Sequence, residues 1–350
     1  MADSDITQPV VVLRAGPMPS HYIGLEYLLR KNGITLKYFE YNIFRQAIDL
    51  IKGRNFVLFR NIVFLLGLLV GRKKKIVLGI APYDKNLRWL NFFLSRHVVY
   101  YHTSHAFWDG SRMPCPTKSI KYQNFWKKFI TETVRHVFAV SEASKDSLIN
   151  NGYSTDEKIS VVNHAMPFEI KRSDIERRKN SFLYVGRLSP EKGLLELCEF
   201  FQRNPNLSFT IIGDGKERRM IESYAARCKN IIYNGAINNF EELITYYLSH
   251  DVLLLNSKKT SGGEELFGMT IFEAMAYGCI PIAINHVGPR EIIANLHNGI
   301  LCDEGSIIDG IGIFLKMTEE QRSDLRQNAL KRGQDFQPSV IANRWTQILK

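Results

Sequence analysis

Short runs of β-branched, aliphatic and aromatic residues recur along the chain, with longer stretches of helical spacing between them. Residues 10–13, 75–80, 97–101 and 137–140 read as strands, with a turn at 16–19 and a helix at 22–31 behind the first. Residues 182–185, 208–212, 231–233, 252–255 and 280–284 read as a second series, with helices at 194–203, 216–228 and 240–249. Strand–helix alternation of this kind predicts parallel sheets covered by helices. The pattern starts twice, and the polar stretch 171–180 lies between the two starts. The fold class is therefore α/β, with one Rossmann-like domain over 1–169 and another over 170–335.

Length supports the division, because 350 residues exceed what one ordinary core accommodates. With 45% hydrophobic and 23% charged residues, the composition is that of a globular protein and excludes a disordered or fibrous chain. The five cysteines are scattered, odd in number and never in a Cys-x-x-Cys pair. That argues against a disulfide framework or zinc site and for a reducing compartment. Residues 1–8 are polar and acidic and predict no secretory signal.

Charge separates the halves. Residues 1–169 hold 23 Lys and Arg against 13 Asp and Glu, whereas residues 170–350 hold 23 against 22. The surplus points to an anionic partner for the first half, either nucleic acid or membrane phospholipid. Two segments there bear on the choice. Residues 56–70 are very apolar and end in Gly71-Arg72-Lys73-Lys74-Lys75, too short a run to span a bilayer. They fit a buried helix with a charged end or a helix in a membrane interface. Residues 118–135 interleave Lys118, Lys121, Lys127 and Lys128 with Tyr122, Phe125, Trp126 and Phe129, which fits an interfacial helix or a solvated face over a core stripe. Together they favour peripheral membrane binding.

The densest chemistry lies in Gly263-Glu264-Glu265-Leu266-Phe267-Gly268-Met269-Thr270-Ile271-Phe272-Glu273-Ala274. It follows a strand and a polar loop, and a helix begins near Gly268. Unpaired N–H groups at a helix start suit a phosphate. Glu265 and Glu273, bracketing the turn, can each accept from a pair of vicinal hydroxyls; either alone is equally readable as a solvated or salt-bridged side chain. In Tyr184-Val185-Gly186-Arg187-Leu188-Ser189-Pro190-Glu191-Lys192-Gly193, Arg187 stands at a strand's carboxyl end and Lys192 on the following loop. They can neutralise a diphosphate, or Arg187 can pair with Glu191 on the surface.

The pairing of Gly186-Arg187-Leu188-x-x-x-Lys192-Gly193 with Glu265-x-Phe267-Gly268-x-x-x-x-Glu273 resembles the GT-B glycosyltransferases of family 4. Ile211-Ile212-Gly213-Asp214-Gly215, Gly278-Cys279-Ile280-Pro281 and Val287-Gly288-Pro289-Arg290-Glu291 fit the same resemblance. It is detailed over 180–305 and looser before. It implies two Rossmann-like domains with parallel sheets facing across a cleft, an acceptor-binding half and a donor-binding half, and a last helix at about 336–350 packing back on the first domain. It implies a retaining transfer of a hexosyl-type sugar from a UDP- or GDP-sugar, with no metal and no cofactor. Arg187 and Lys192 would hold the diphosphate. Glu265 and the backbone of Phe267, Gly268 and Met269 would meet the sugar and phosphate, and Glu273 the ribose. Gly186, beside Arg187, would belong to the donor site, and Gly213 would let the base pack close. His102, or else His105, would face the reacting sugar. The glycine-rich turn usual after the first strand is reduced here to Gly16-Pro17-Met18-Pro19-Ser20-His21, and Asn163-His164-Ala165 departs from the usual Asn-Gly-Val.

The expected role is synthesis of a surface polysaccharide or glycolipid on a glycan or lipid-linked acceptor, at the cytoplasmic face of the membrane. A soluble acceptor is the alternative. A nucleic-acid-binding protein fits the charge, but no helix-turn-helix, zinc or RNP-type signature is present to read bases.

Overall fold

The chain is described here by a computed structural model covering residues 8–16, 19–51, 57–111, 115–170, 175–260 and 264–350. Asp3-Ser4-Asp5, an Asp-x-Asp ahead of the first strand that the sequence reading takes as irrelevant to the chemistry, lies outside the described residues, as do Pro17, Met18 and Gly263. The apolar runs become strands in regular alternation with helices: β1 (Val10–Arg14), α1 (Ile23–Lys31), β2 (Leu36–Glu40), α2 (Ile43–Ile51), α3 (Val57–Val70), β3 (Lys75–Gly79), α4 (Leu87–Leu94), β4 (Val98–Thr103), α5 (Ile120–Lys128), β5 (Val134–Ala139), α6 (Glu142–Asn150) and β6 (Ile159–Val161). A second series follows. It comprises β7 (Arg178–Val185), α7 (Leu194–Arg203), β8 (Ser208–Ile212), α8 (Arg218–Arg227), β9 (Ile231–Tyr233), α9 (Phe240–Ser249), β10 (His250–Leu255), α10 (Met269–Ala276), β11 (Ile280–Ile284), α11 (Val287–Ile292), β12 (Ile300–Cys302), α12 (Ile307–Lys316) and α13 (Glu319–Gln334).

Among the described residues the strands form two parallel sheets of six, in the orders β2-β1-β3-β4-β5-β6 and β12-β11-β10-β7-β8-β9. Central strands such as Val10–Leu13, Ile76–Leu78 and Val252–Leu254 are buried, because parallel crossovers lay helices on both sheet faces. The edge strands are weaker in the sequence. β2 keeps Lys37 exposed and its other residues half-buried, and β6, β9 and β12 are three residues each.

One unit comprises Met1–Pro167 with Pro338–Lys350, and the other Phe168–Gln337. The C-terminal return is a short helix, α14 (Pro338–Ala342), and a 3-10 turn (Asn343–Ile348) rather than one continuous helix. It covers the α1 face of the first sheet with Ile341, Ala342, Trp345 and Ile348. Lys75 Nζ donates to the carbonyls of Ile348 and Leu349 at 3.1 and 3.3 Å, satisfying part of that end.

The two basic–apolar segments of the first unit fold differently. Tyr122, Trp126 and Phe129 are buried in the core on the opposite sheet face, so the aromatics of α5 are packing residues under a lysine-bearing surface. α3 buries Asn61, Leu65 and Leu68 but leaves Phe59, Val63, Leu66 and Val70 exposed. No helix among the described residues is long and apolar enough to cross a membrane.

In the second unit, α13 opens with a capping box in which Thr318 and Gln321 satisfy each other's backbone N–H groups. Arg326 on this helix pairs with Asp251 at 3.0 Å and donates to the Gly278 carbonyl at 2.8 Å. Phe272 of α10 stacks on Phe336, just beyond α13, at 4.7 Å. α10 is thereby held from behind, with its amino end at the carboxyl side of β10.

Candidate functional site

β7 carries Gly186 and Arg187 at its carboxyl end, where loops of an open parallel sheet gather ligands. Tyr184, buried, donates its hydroxyl to the Arg187 carbonyl at 2.6 Å and fixes the turn. Gly213, at the end of β8, has φ +146°, and a Cβ there would lie 1.8 Å from the Gly186 carbonyl oxygen. Only glycine permits these backbones to approach so closely. The next turn, Pro190–Lys192, ends on left-handed Gly193 and presents Lys192. Arg187 is exposed. Glu191 accepts from the Ser189 hydroxyl at 2.6 Å instead of from Arg187, and that bond chiefly holds its carboxyl below the usual range.

Lys192 crosses to the second motif. Its Nζ is 2.6 Å from Glu265 Oε2 and 3.2 Å from Ser257 Oγ, with the pair's side chains 15% and 20% exposed. Ser257 also donates to the same Glu265 oxygen at 3.4 Å. The Glu265 carbonyl accepts from the Gly288 amide at 3.0 Å, and the Glu264 carboxylate from the Val287 amide at 3.3 Å. The loop is thus tied to the amino end of α11, where an anion is favoured.

Gly268, at φ +80°, caps α10. Phe267 turns its ring inward toward Phe272 and Phe336, at 5.7 and 6.3 Å. On α10, Glu273 is buried and accepts from the Tyr247 hydroxyl at 2.9 Å. Burial pushes its carboxyl up to about 7, and the Tyr247 hydrogen bond partly opposes that shift. Ser257 and Tyr247 were not legible as site residues in the sequence. The one follows a strand in a Ser/Lys-rich loop, and the other reads as an ordinary helix aromatic.

The first unit has a different constellation at its strand ends. Arg14 closes β1 and His102 lies in β4. His21 stands 4.2 Å from His164 and 6.5 Å from His102, ring centre to ring centre. The His102 ring sits 4.9 Å from Tyr22 and 5.4 Å from Trp345. It is 4% exposed, and its Nε2 has no hydrogen-bond partner among the described residues. His105 is less enclosed, and its amide donates to Thr103 Oγ1 at 3.2 Å. Burial above all lowers these imidazoles, to about 4 for His21, about 3 for His102 and about 4 for His105, and well down for His164. Arg14 and the mutual repulsion of the rings add to it at His21 and His102. The cluster is accordingly neutral at pH 7, able to donate and accept hydrogen bonds. His21, His164 and Trp345 join His102 only through the fold.

Among the described residues no group of three or more His, Cys, Asp and Glu side chains is arranged to hold a metal ion. What the second unit offers is a cation pair, a helix start and two carboxylates suited to hydroxyls.

Residues 166–332 match the family model for glycosyl transferases group 1. The chain is 24% identical over 224 residues to the O-antigen biosynthesis glycosyltransferase WbnH of Escherichia coli, a match covering 64% of this chain and 62% of that protein. It is 32% identical over 162 residues to a GDP-mannose-dependent alpha-mannosyltransferase of Mycolicibacterium smegmatis, covering 46% and 39%. The chain therefore spans less than two thirds of the length of these curated relatives. In three dimensions it is similar to Anabaena Alr3699/HepE in complex with UDP and glucose, at TM-score 0.66 and 16% identity over 97% of this chain and 98% of the other. The lipopolysaccharide outer core galactosyltransferase WaaB gives TM-score 0.66 and 18% identity over 98% and 99%. The motif-bearing second unit thus carries the match to the group 1 glycosyltransferase model, and the two parallel-sheet units share the GT-B fold of the solved structures named above.

Proposed function

We propose that the protein transfers a hexosyl-type sugar, with retention of configuration, from a UDP- or GDP-sugar to a glycan or lipid-linked acceptor in surface polysaccharide or glycolipid synthesis. The observation that carries the reading is the Lys192–Glu265–Ser257 contact beside Arg187 and the start of α10. In the absence of donor, Lys192 and Glu265 satisfy each other. A nucleotide sugar exchanges that pair for two better-matched partners, with diphosphate against Lys192 and Arg187 and sugar hydroxyls against Glu265. Glu273 takes the ribose hydroxyls from its buried position, and the 267–269 backbone approaches sugar and phosphate. Stabilising charge on the departing diphosphate supplies most of the rate. The acceptor hydroxyl attacks from the face the nucleotide leaves, so Glu265 is not a covalent nucleophile. Arg14 and the neutral imidazoles around His102 serve the acceptor side, with His102 or His105 toward the reacting sugar.

The relatives named for O-antigen and outer-core synthesis support a surface-glycan role. The basic surplus of residues 1–169 supports peripheral work at the anionic inner face of the cell membrane. Thermal-shift measurement against a panel of nucleotide sugars tests the reading. A ligand at a hundred times its Kd adds about 2.7 kcal/mol of stability. The anomeric configuration of the product from the best ligand tests retention. If no nucleotide or nucleotide sugar moved the unfolding midpoint, the proposal would fall.

A further inference from the structure

α3 is apolar on two faces, and the first unit uses one of them. At 100° per residue, Asn61, Leu65 and Leu68 share a face that the unit buries. Phe59, Val63, Leu66 and Val70 share nearly the opposite face, and all four are exposed, Phe59 by 77% and Val70 by 87%. A helix apolar all round is ordinarily enclosed. The flanking helices extend the feature, since α2 and α4 pack beside α3 and expose Ile48 and Ile51, and Phe92 at 71%. Between the three helices is a groove of about 340 Å³ lined by Ile43, Ile62, Leu65, Leu66, Trp89 and Phe93, among others. Leu66 belongs both to the groove wall and to the exposed stripe.

The charge around this surface is one-sided. Residues 43–100, which span α2 to α4, contain eleven Lys and Arg against two acidic residues, Asp49 and Asp84. Asp84 is turned to local partners, accepting from Tyr41 at 3.2 Å and from Asn86 at 2.9 Å. Arg72 and Lys73 follow the carboxyl end of α3, and Arg88 and Arg96 flank Phe92, all exposed. Arg96 also donates to the Leu69 carbonyl, and His97 Nε2 lies 2.9 Å from that of Leu68, so the end of α3 is capped without neutralising the patch. An apolar stripe of about three turns beside a basic rim, on a helix too short to span, is complementary to an anionic lipid interface. α5 lacks this arrangement because its aromatics are core.

We propose that the exposed stripe of α3, extended by Ile48, Ile51 and Phe92, docks the protein on an anionic phospholipid bilayer, with the groove beside Leu66 receiving a hydrocarbon chain. The inference rests on the peripheral reading above and names its surface. Co-sedimentation of the full chain with phosphatidylglycerol-containing vesicles, against pure phosphatidylcholine vesicles and across a salt series, tests it. Wild-type protein binds the anionic vesicles, and the triple variant Phe59→Ser, Val63→Ser and Val70→Ser loses about ten-fold or more of that binding. Arg72→Gln with Lys73→Gln weakens binding about five-fold per charge removed and flattens its salt dependence. Nucleotide-sugar thermal shifts, read in parallel, remain as in wild type in both variants. Loss of those shifts in wild type would strike the transferase reading and leave docking standing. Wild-type failure to bind anionic vesicles would overturn the docking surface. So would undiminished binding by the triple variant, or a wild-type dimer free of lipid that the same substitutions dissociate.

Discussion

The two units have the same scaffold, a six-stranded parallel sheet under helices, yet they handle polar groups at their strand ends in opposite ways. The second unit keeps charges and lets them satisfy one another, as Lys192 does with Glu265. The first gathers imidazoles and, by burying them, removes their charge. Paired ions are ready to be exchanged for an anionic, hydroxylated ligand. Neutral imidazoles beside Arg14 form a hydrogen-bonding surface that need not release protons before it is used. The same burial gives the imidazoles and the Glu273 carboxyl opposite responses to pH, because desolvation disfavours whichever form is charged.

The largest effect should come from breaking the ion pair of the second unit. Lys192→Ala is expected to lower turnover by about a hundred- to a thousand-fold, with a smaller loss of donor affinity. Steady-state kinetics with a confirmed donor would check this, and near-wild-type turnover would remove Lys192 from the charge-stabilising role. An equivalent loss from His102→Ala would show that the units share the chemistry more evenly than their electrostatics imply.

Acid should act next, on the buried imidazoles, among them His250 of the second unit, whose pKa burial also lowers to about 4. His105 has its pKa lowered by burial from 6.5 to about 4. The unfolded chain therefore binds a proton that the folded chain refuses, and stability is lost as pH falls below about 6.5. The loss approaches ~3 kcal/mol for this group alone. His21 and His102 have the same sign. Hydrogen exchange at pH 7 and pH 5 should show residues 98–105 losing protection at the lower pH; unchanged protection there would contradict the neutral-imidazole picture.

Glu273 runs the other way. Its carboxyl is raised from 4.5 to about 7, so between those values the folded protein holds a proton that the unfolded chain has lost. Stability contributed by this group falls as pH rises through that window, by up to ~3 kcal/mol. Glu273→Gln is expected to unfold at a higher temperature than wild type at pH 8, with the difference closing toward pH 4. The same variant should bind the donor about ten-fold more weakly, on the order of one lost hydrogen bond. Denaturation midpoints and nucleotide titration at both pH values would separate the two, and a destabilised Gln variant at pH 8 would refute the linkage.

Central strands were legible because burial on both sheet faces demands uninterrupted apolar runs, as in Ile76–Leu78 and Val252–Leu255. β2, β6 and β12 were not legible, since a sheet edge needs only a few half-buried residues. The motif around Glu265 and Glu273 was legible as a turn and helix start. Its contact with Lys192 was not, since those residues come from different crossovers and meet only at the sheet's carboxyl edge. α3 and α5 make the same point about packing. Both read as apolar residues beside basic ones, and nothing local distinguishes them. α5 directs Tyr122 and Trp126 into the core, while α3 has already filled its place there with Leu65 and Leu68.

The sequence by itself therefore determined the alternation of strands and helices, the two starts of the pattern, the charge surplus of the first half and the order of the site motifs. These are local properties of burial period, turn chemistry and composition. Tertiary structure decided which charges pair, that Glu273 is buried against Tyr247, and that Trp345 returns from the C-terminus to lie against His102. It also decided which of two similar helices exposes its apolar face. Such outcomes depend on distances between segments far apart in the chain, and on desolvation by the atoms that come to surround a group, neither of which is encoded in its neighbours along the sequence.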